Sequence, residues 1–521
     1  MQTGSAIKAP HYVGGNVPCR AQPSTPIPPP EQPYTEFSKA ERWVIVALIA
    51  LAAWFSTLSS FIYYPAISSI AEDLGSTVSL INLTVTSYLV ISAVAPAIVG
   101  DAADTLGRRP LYAVTLGIYA AANIGIASQR SFVALLLLRM LQSAGISGMT
   151  RCSDLEHSIL LTKPPITGTF SVAYGVLADI AAPSERGAFV SALSFGITTA
   201  PSIGPVIGGA MASGPGWRWI FWFLAIISCV CLAMMILLLP ETNRNLVGNG
   251  AVKPPRFYLP LMPGALRPWG RQSDAANIAL PPRALRIPNP LKSLVVLARK
   301  DVAVSIMPGS FLYTVYCCIH TSLSTSFVQV YHLDYLRAGF VYLPFGVGAI
   351  ISTIVSGRWI DRDYRIVAQS HGLPINKVSG DDLLHFPVEE ARLRSVALPT
   401  IVALVSVVAY GWLVDYHVHM AAPLVCLFFA GLSIQTCFNI NNTLLVDINE
   451  DVPATAQASS NIVRCIISAV LVGTLQIIID EIGFGWTFTL LGSFCLAAGF
   501  FYLIERMYGR KWRLARHVAN T

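Results

Sequence analysis

The sequence predicts an all-α polytopic membrane protein with twelve transmembrane helices, and three observations carry that prediction. Apolar runs of about 20 residues, the length needed to cross a hydrocarbon layer ~30 Å thick, recur between residues 44 and 505. Charged residues make up only 12% of the chain against 54% hydrophobic ones, whereas a soluble domain carries about 25% charged residues. The few charges gather between the runs. Inside a bilayer every backbone amide and carbonyl must be bonded within the protein, which turns each run into a helix.

Taken in order, residues 1–42 are rich in proline and polar side chains and are expected to form a disordered tail. They contain no apolar core of a signal peptide, so the first span would serve as the membrane signal. A first six-helix bundle is expected over residues 43–239, with spans at 44–66, 78–99, 111–128, a fourth beginning at 131, then 187–212 and 217–239. A polar linker, residues 240–301, carries ten Lys/Arg and three acids. Just before span seven, residues 291–299 read as a short amphipathic helix lying on the membrane surface. A second bundle follows over 302–506, with spans at 302–325, 338–356, 394–415, 420–446, 456–480 and 485–505, and residues 507–521 form a basic tail. Acids Glu72, Asp73, Asp480 and Glu481 mark the opposite loops. The positive-inside rule then places both termini and the linker in the cytoplasm.

This clustering also explains the net charge of +7 without nucleic acid as a partner. Ten cysteines show neither metal-ligand nor disulfide spacing, and eight lie in apolar spans, where a thiol behaves as a small hydrophobe. With no nucleophile–base set, metal cluster or phosphate loop, an enzyme is not expected, nor is a cofactor.

Span four is interrupted. Residues 131–148 begin it and 169–180 complete it, but residues 149–168 between them hold Arg151, Asp154, Glu156, Lys163 and the pair Pro164-Pro165. Charges and a double proline cannot continue a membrane helix cheaply. Removing these twenty residues leaves one smooth span. The codons for Gly148-Met149 and Thr167-Gly168 permit the ends of an intron, so the segment reads as a retained intron in the gene, the alternative being a real excursion outside the membrane.

Several residues carry chemistry. Gly100 and Asp104 follow span two, and Gly357 and Asp361 follow span eight, the matching position in the second half, as in transporters built from two parallel six-helix halves around a central cavity. In the first of these loops Gly100, Asp104, Gly107, Arg108 and Arg109 can form a charge network at the inner face; a plain cationic anchor would need only the arginines. Arg139 lies several residues inside span four, where a cation is costly and faces a cavity or a partner; bonding to carbonyls is the structural alternative. In span five, Gly204, Pro205, Gly208 and Gly209 combine small residues that let helices touch with a proline bend. Trp54, Tyr63 and Tyr64 of span one, His320 of span seven, Asn439 and Asn442 of span ten, and Asn461 and Arg464 of span eleven are candidates for a mixed aromatic and polar cavity. Each also has a structural reading: interface belt for the aromatics, interhelical bond for the amides, and a structural ring for His320.

In these motifs the chain resembles the major facilitator superfamily, whose loop signature is G-x-x-x-D-x-x-G-R-R. The R-x-x-Q of Arg139 and Gln142, the Gly-Pro-x-x-Gly-Gly of residues 204–209 and the Pro240-Glu241-Thr242 start of the linker resemble fungal twelve-span drug:proton antiporters of the quinidine-resistance type. The likeness covers residues 40–510 apart from the interruption. It implies a major-facilitator fold of two six-helix bundles and a role for Asp179 as partner of the loop arginines. It also implies export of drugs, toxins or secondary metabolites in exchange for protons, by a monomer in the plasma membrane whose partners are substrate, protons and lipid. Other readings are a nutrient or organic-acid uniporter or symporter, and a product silenced by the insertion. The proton carrier and the substrate are not legible.

Overall fold

Helix α1, Lys39–Phe61, starts where Ser38 and Glu41 cap each other. The Ser38 hydroxyl accepts from the Glu41 amide at 3.3 Å, and the Glu41 carboxylate accepts from the Ser38 amide at 2.6 Å. Two of the helix's otherwise unpaired amides are thereby satisfied. A 3-10 turn, Tyr64–Ala66, with Pro65 in its first turn then redirects the chain into the short helix Ile67–Asp73.

The computed structural model describes residues 35–106, 108–147, 176, 180, 186–247, 258–259, 297, 299–372, 386–449 and 453–520. After α1 the first half continues with α2 (Val78–Leu106), α3 (Arg108–Ser128), α4 (Phe132–Ser147), α5 (Arg186–Ser213) and α6 (Arg218–Leu238). The second half contains α7 (Lys300–Tyr331), α8 (Leu343–Ser370), α9 (Ala397–Asp415), α10 (Ala421–Ile448) and α11 (Pro453–Asn520). A helix therefore stands at every expected span, although the second part of span four lies outside the described residues apart from 176 and 180. The interruption 149–168 and the proposed surface helix 291–299 lie outside them too, save residues 297 and 299. Among the described residues, eight helical stretches are long and apolar enough to cross a membrane, and the last, Ser459–Arg516, has 58 residues. Gly483, at φ 79°, breaks that stretch, a backbone geometry open to glycine because it lacks a Cβ. The Asp415 carboxylate accepts the freed Phe484 amide at 3.2 Å. Spans eleven and twelve therefore meet at a capped glycine rather than across a loop.

Several helices outrun the expected spans. Helix α2 continues to Leu106 and α3 starts at Arg108, so the Gly100–Asp104 motif is the last turn of a helix, not a loop. Helix α8 likewise runs on to Ser370, and α11 carries the expected tail to Asn520. Polar side chains end a membrane span without ending a helix, because hydrogen bonding within the helix continues in water.

Packing pairs α1 with α5, α3 with α6, α7 with α11 and α8 with α10, while α2 against α11 and α5 against α8 join the two halves. Close approach comes from glycine. A Cβ at Gly208 would fall on the Ile62 carbonyl oxygen, and one at Gly209 on that of Tyr335, so α5 touches α1 on one side and, on the other, the short helix Tyr335–Phe340 that links α7 to α8. Large apolar side chains such as Val114, Leu137, Ile226, Val405, Val470 and Phe500 point outward and stay exposed, as expected of surfaces that face lipid.

Candidate functional site

A cavity of about 250 Å³ lies between the halves, lined from the first by α1, α2, α4 and α5 and from the second by α7, α8, α10 and α11. Its wall mixes aromatic, polar and aliphatic side chains. Phe61, Tyr64, Tyr88, Tyr313, Tyr316, Phe345 and Phe438 supply the rings, and Ser56, Ser60, Gln435, Asn442 and Asn461 the polar groups. Two cations, Arg139 and Arg464, complete it, and no carboxylate lines it among the described residues.

Arg139 is 1% exposed. Its guanidinium lies over the rings of Tyr63 and Tyr88, at 4.2 and 4.6 Å. It also donates to Gln142 Oε1 at 2.6 Å, and Gln142 donates to Asn123 Oδ1 at 2.7 Å. The i, i+3 spacing of Arg139 and Gln142 places both on one face of α4. Arg464 sits opposite, donating twice to Asn461 Oδ1, at 3.1 and 2.8 Å, with its guanidinium 4.7 Å from the Tyr313 ring. Asn461 in turn donates to the Ser92 carbonyl at 3.0 Å, from α11 to α2.

Of the residues singled out in the sequence, Tyr64, Asn442, Asn461 and Arg464 face this cavity together with Arg139. Tyr63 stands behind the wall, its hydroxyl 2.8 Å from Thr84. His320 is buried behind Phe61, Tyr64, Tyr316 and Phe345, with Nδ1 2.9 Å from the Tyr316 carbonyl. Asn439 donates to Ser356 at 2.7 Å, joining α10 to α8, and Trp54 packs against the core. Gly208 and Gly209 serve the helix contacts described above, Gly204 lies against Leu58 and Ile62 of the same α1 contact, and the Pro205 carbonyl abuts Gly339. Asp179 and Gly107 lie outside the described residues, as do the side chain of Asp104 and the surroundings of Gly100.

Reading the sequence missed Tyr88, Tyr313, Tyr316 and Gln435. Gln435 was detectable as an amide within an apolar run; the tyrosines carried no such signal. It also missed the role of Glu241. This carboxylate is fully buried and accepts the amides of Arg108 at 2.9 Å and Arg109 at 3.2 Å, capping the N-terminus of α3. It also receives the amides of Thr242 and Asn243. Arg109 reaches back to the Ile236 carbonyl at 2.8 Å.

The corresponding end of the second half carries its own ion pairs: Arg392–Asp447 at 2.7 Å, Arg513–Glu389 at 2.8 Å and Arg516–Asp301 at 2.7 Å. Burial pushes the Asp447 carboxyl above the usual carboxylate range, and the adjacent Arg392 opposes that rise. Among the described residues, every ion pair at this end stays within one half. At the other end, the Tyr335 hydroxyl lies 3.4 Å from Glu72 across the halves, while Asp73 holds Arg218 at 2.8 Å.

Comparison with known proteins agrees with this architecture. The family described as Major Facilitator Superfamily matches residues 49–153 and 166–472. The MFS-type transporter tstD of Talaromyces stipitatus is 34% identical over 92% of this chain and 84% of its own. The multidrug transporter QDR2 of Candida glabrata is 32% identical over 93% and 83%. Citrate exporter 1 of Aspergillus niger is 32% identical over 93% and 89%. Among solved structures, a D-xylose-proton symporter shares the fold with a TM-score of 0.62 at 13% identity, covering 88% of this chain and 97% of its own.

Proposed function

This chain belongs to the major facilitator superfamily, and we propose that it exports small organic molecules in exchange for protons by alternating access. It is an integral, multi-pass membrane transporter of that family. The observation that carries the export reading is the cavity between the halves, with aromatic faces and polar groups on both sides of it. Such a wall holds organic molecules of varied shape, because rings supply contact area while amides and hydroxyls orient. The multidrug and citrate-exporting relatives support export, and their named cargoes differ widely.

Alternating access needs ends that open in turn. At the end bearing the linker the described ion pairs each stay within one half, so separating the halves there breaks none of them. At the other end α5 meets the short helix between α7 and α8 through Gly209 and Gly339. Asp104, Arg108 and Asp179 remain the proposed network through which protonation biases one conformation over the other, with Glu241 holding the arginine turn in place.

Purified protein in vesicles with an imposed proton gradient tests this. Accumulation of labelled substrate that collapses with the gradient is expected, and accumulation indifferent to the gradient would remove proton exchange from the reading. Asp104→Asn is expected to flatten the pH dependence of transport.

The family match skips residues 154–165, which lie inside the interruption 149–168. This supports the proposal that the interruption is an insertion into helix four. Sequencing the transcript decides its origin: full-abundance reads through the segment would exclude a retained intron.

A further inference from the structure

We infer that the cavity selects organic anions, binding a carboxylate-bearing molecule between Arg139 and Arg464. The inference rests on the transport reading above and names its substrate class.

Both guanidiniums face one cavity, one from each half. Neither forms an ion pair: among the described residues Arg139 bonds to Gln142, Arg464 bonds to Asn461, and both lie over tyrosine rings. The arginines at the linker-bearing end of the second half are, by contrast, matched to Asp447, Glu389 and Asp301. Among the described residues, then, arginines are neutralised where helices close together, and two have no counter-charge where substrate enters. Among the described residues the buried Arg139 Nε has no partner, an open donor on a side chain 1% exposed.

Unpaired charge inside a membrane protein is costly, and buried charges are found paired. A visiting carboxylate removes that cost. Guanidinium and carboxylate match in planar, two-bond geometry. A cationic drug would meet the same two charges as repulsion. The aromatic wall then holds the body of the molecule, and Asn461, bonded both to Arg464 and to the Ser92 carbonyl of α2, aims one cation from the seam between the halves. An anion bridging the two arginines interacts with both halves at once, which is the differential contact that lets cargo bias a two-state equilibrium.

The test is exchange in vesicles containing the full chain and, in parallel, the chain lacking residues 149–168. Vesicles are loaded in separate sets with citrate, benzoate and tetraphenylphosphonium. Exchange of the carboxylates is expected, and free acids should compete while their methyl esters do not. Arg464→Gln is expected to lower carboxylate exchange about ten- to a hundredfold, the weight of a charged hydrogen bond, and Arg464→Lys to restore part of it. Competition in the unsubstituted protein keeps the idea testable if the glutamine variant does not fold. Exchange of tetraphenylphosphonium without the carboxylates, or competition by esters equal to that by acids, overturns anion selection and leaves the transport reading intact. No exchange of any compound in either chain overturns both.

Discussion

A buried carboxylate at residue 241 shows how much one side chain can organise. Glu241 collects four backbone amides, two of them at the positive end of α3, where negative charge is favoured. Its loss strands buried donors, each worth about 1–3 kcal/mol when unsatisfied. Glu241→Ala is therefore expected to lower the unfolding temperature measured in detergent, and an unchanged temperature would mean that water replaces the carboxylate. Arg139 could be singled out from sequence because a cation within an apolar run is expensive wherever it points. Glu241 stood out only as part of the linker motif, and its capping role could not be read, since an acid just past the end of a span meets Arg108 only on folding.

At the scale of elements, helix α5 depends on having no side chain at Gly208, where the Ile62 carbonyl oxygen occupies the space. Gly208→Val forces α5 away from α1 at a cost of about 1–3 kcal/mol, the range for overpacking. Reduced yield of folded protein on size-exclusion chromatography, with transport lost, is the expected result; wild-type behaviour would show that the contact yields. Helix four makes the opposite prediction. Deleting residues 149–168 joins two apolar pieces into one continuous span, so the shortened chain is expected to insert and transport better than the full one in vesicles prepared side by side. The small-residue spacing of α5 was readable as a contact surface. Its neighbours, Ile62 and Tyr335, were not, because spacing on one helix does not name the helix opposite.

For the whole molecule, the contact between Glu72 and the Tyr335 hydroxyl crosses from one half to the other at the end away from the linker. In a background with all ten cysteines replaced by serine, Glu72→Cys with Tyr335→Cys gives a pair that a short thiol cross-linker can bridge. Cross-linking is expected to stop transport by holding that end shut, with a cleavable linker restoring it on reduction. Transport that continues through the cross-link would show that the halves do not separate there.

The sequence by itself determined that this is a membrane-spanning helical bundle in two halves and a member of its superfamily. The bilayer forces apolar length on every span, and the loop signature is local in the chain. Tertiary structure alone decided that Arg139 and Arg464, which are 325 positions apart in the sequence (464 − 139), face one cavity, and that Tyr63, His320 and Asn439 stand behind its wall. Which face of a helix meets the cavity depends on how neighbouring helices pack around it. In a chain where lipid-facing and core-facing residues are both apolar, composition does not record that choice.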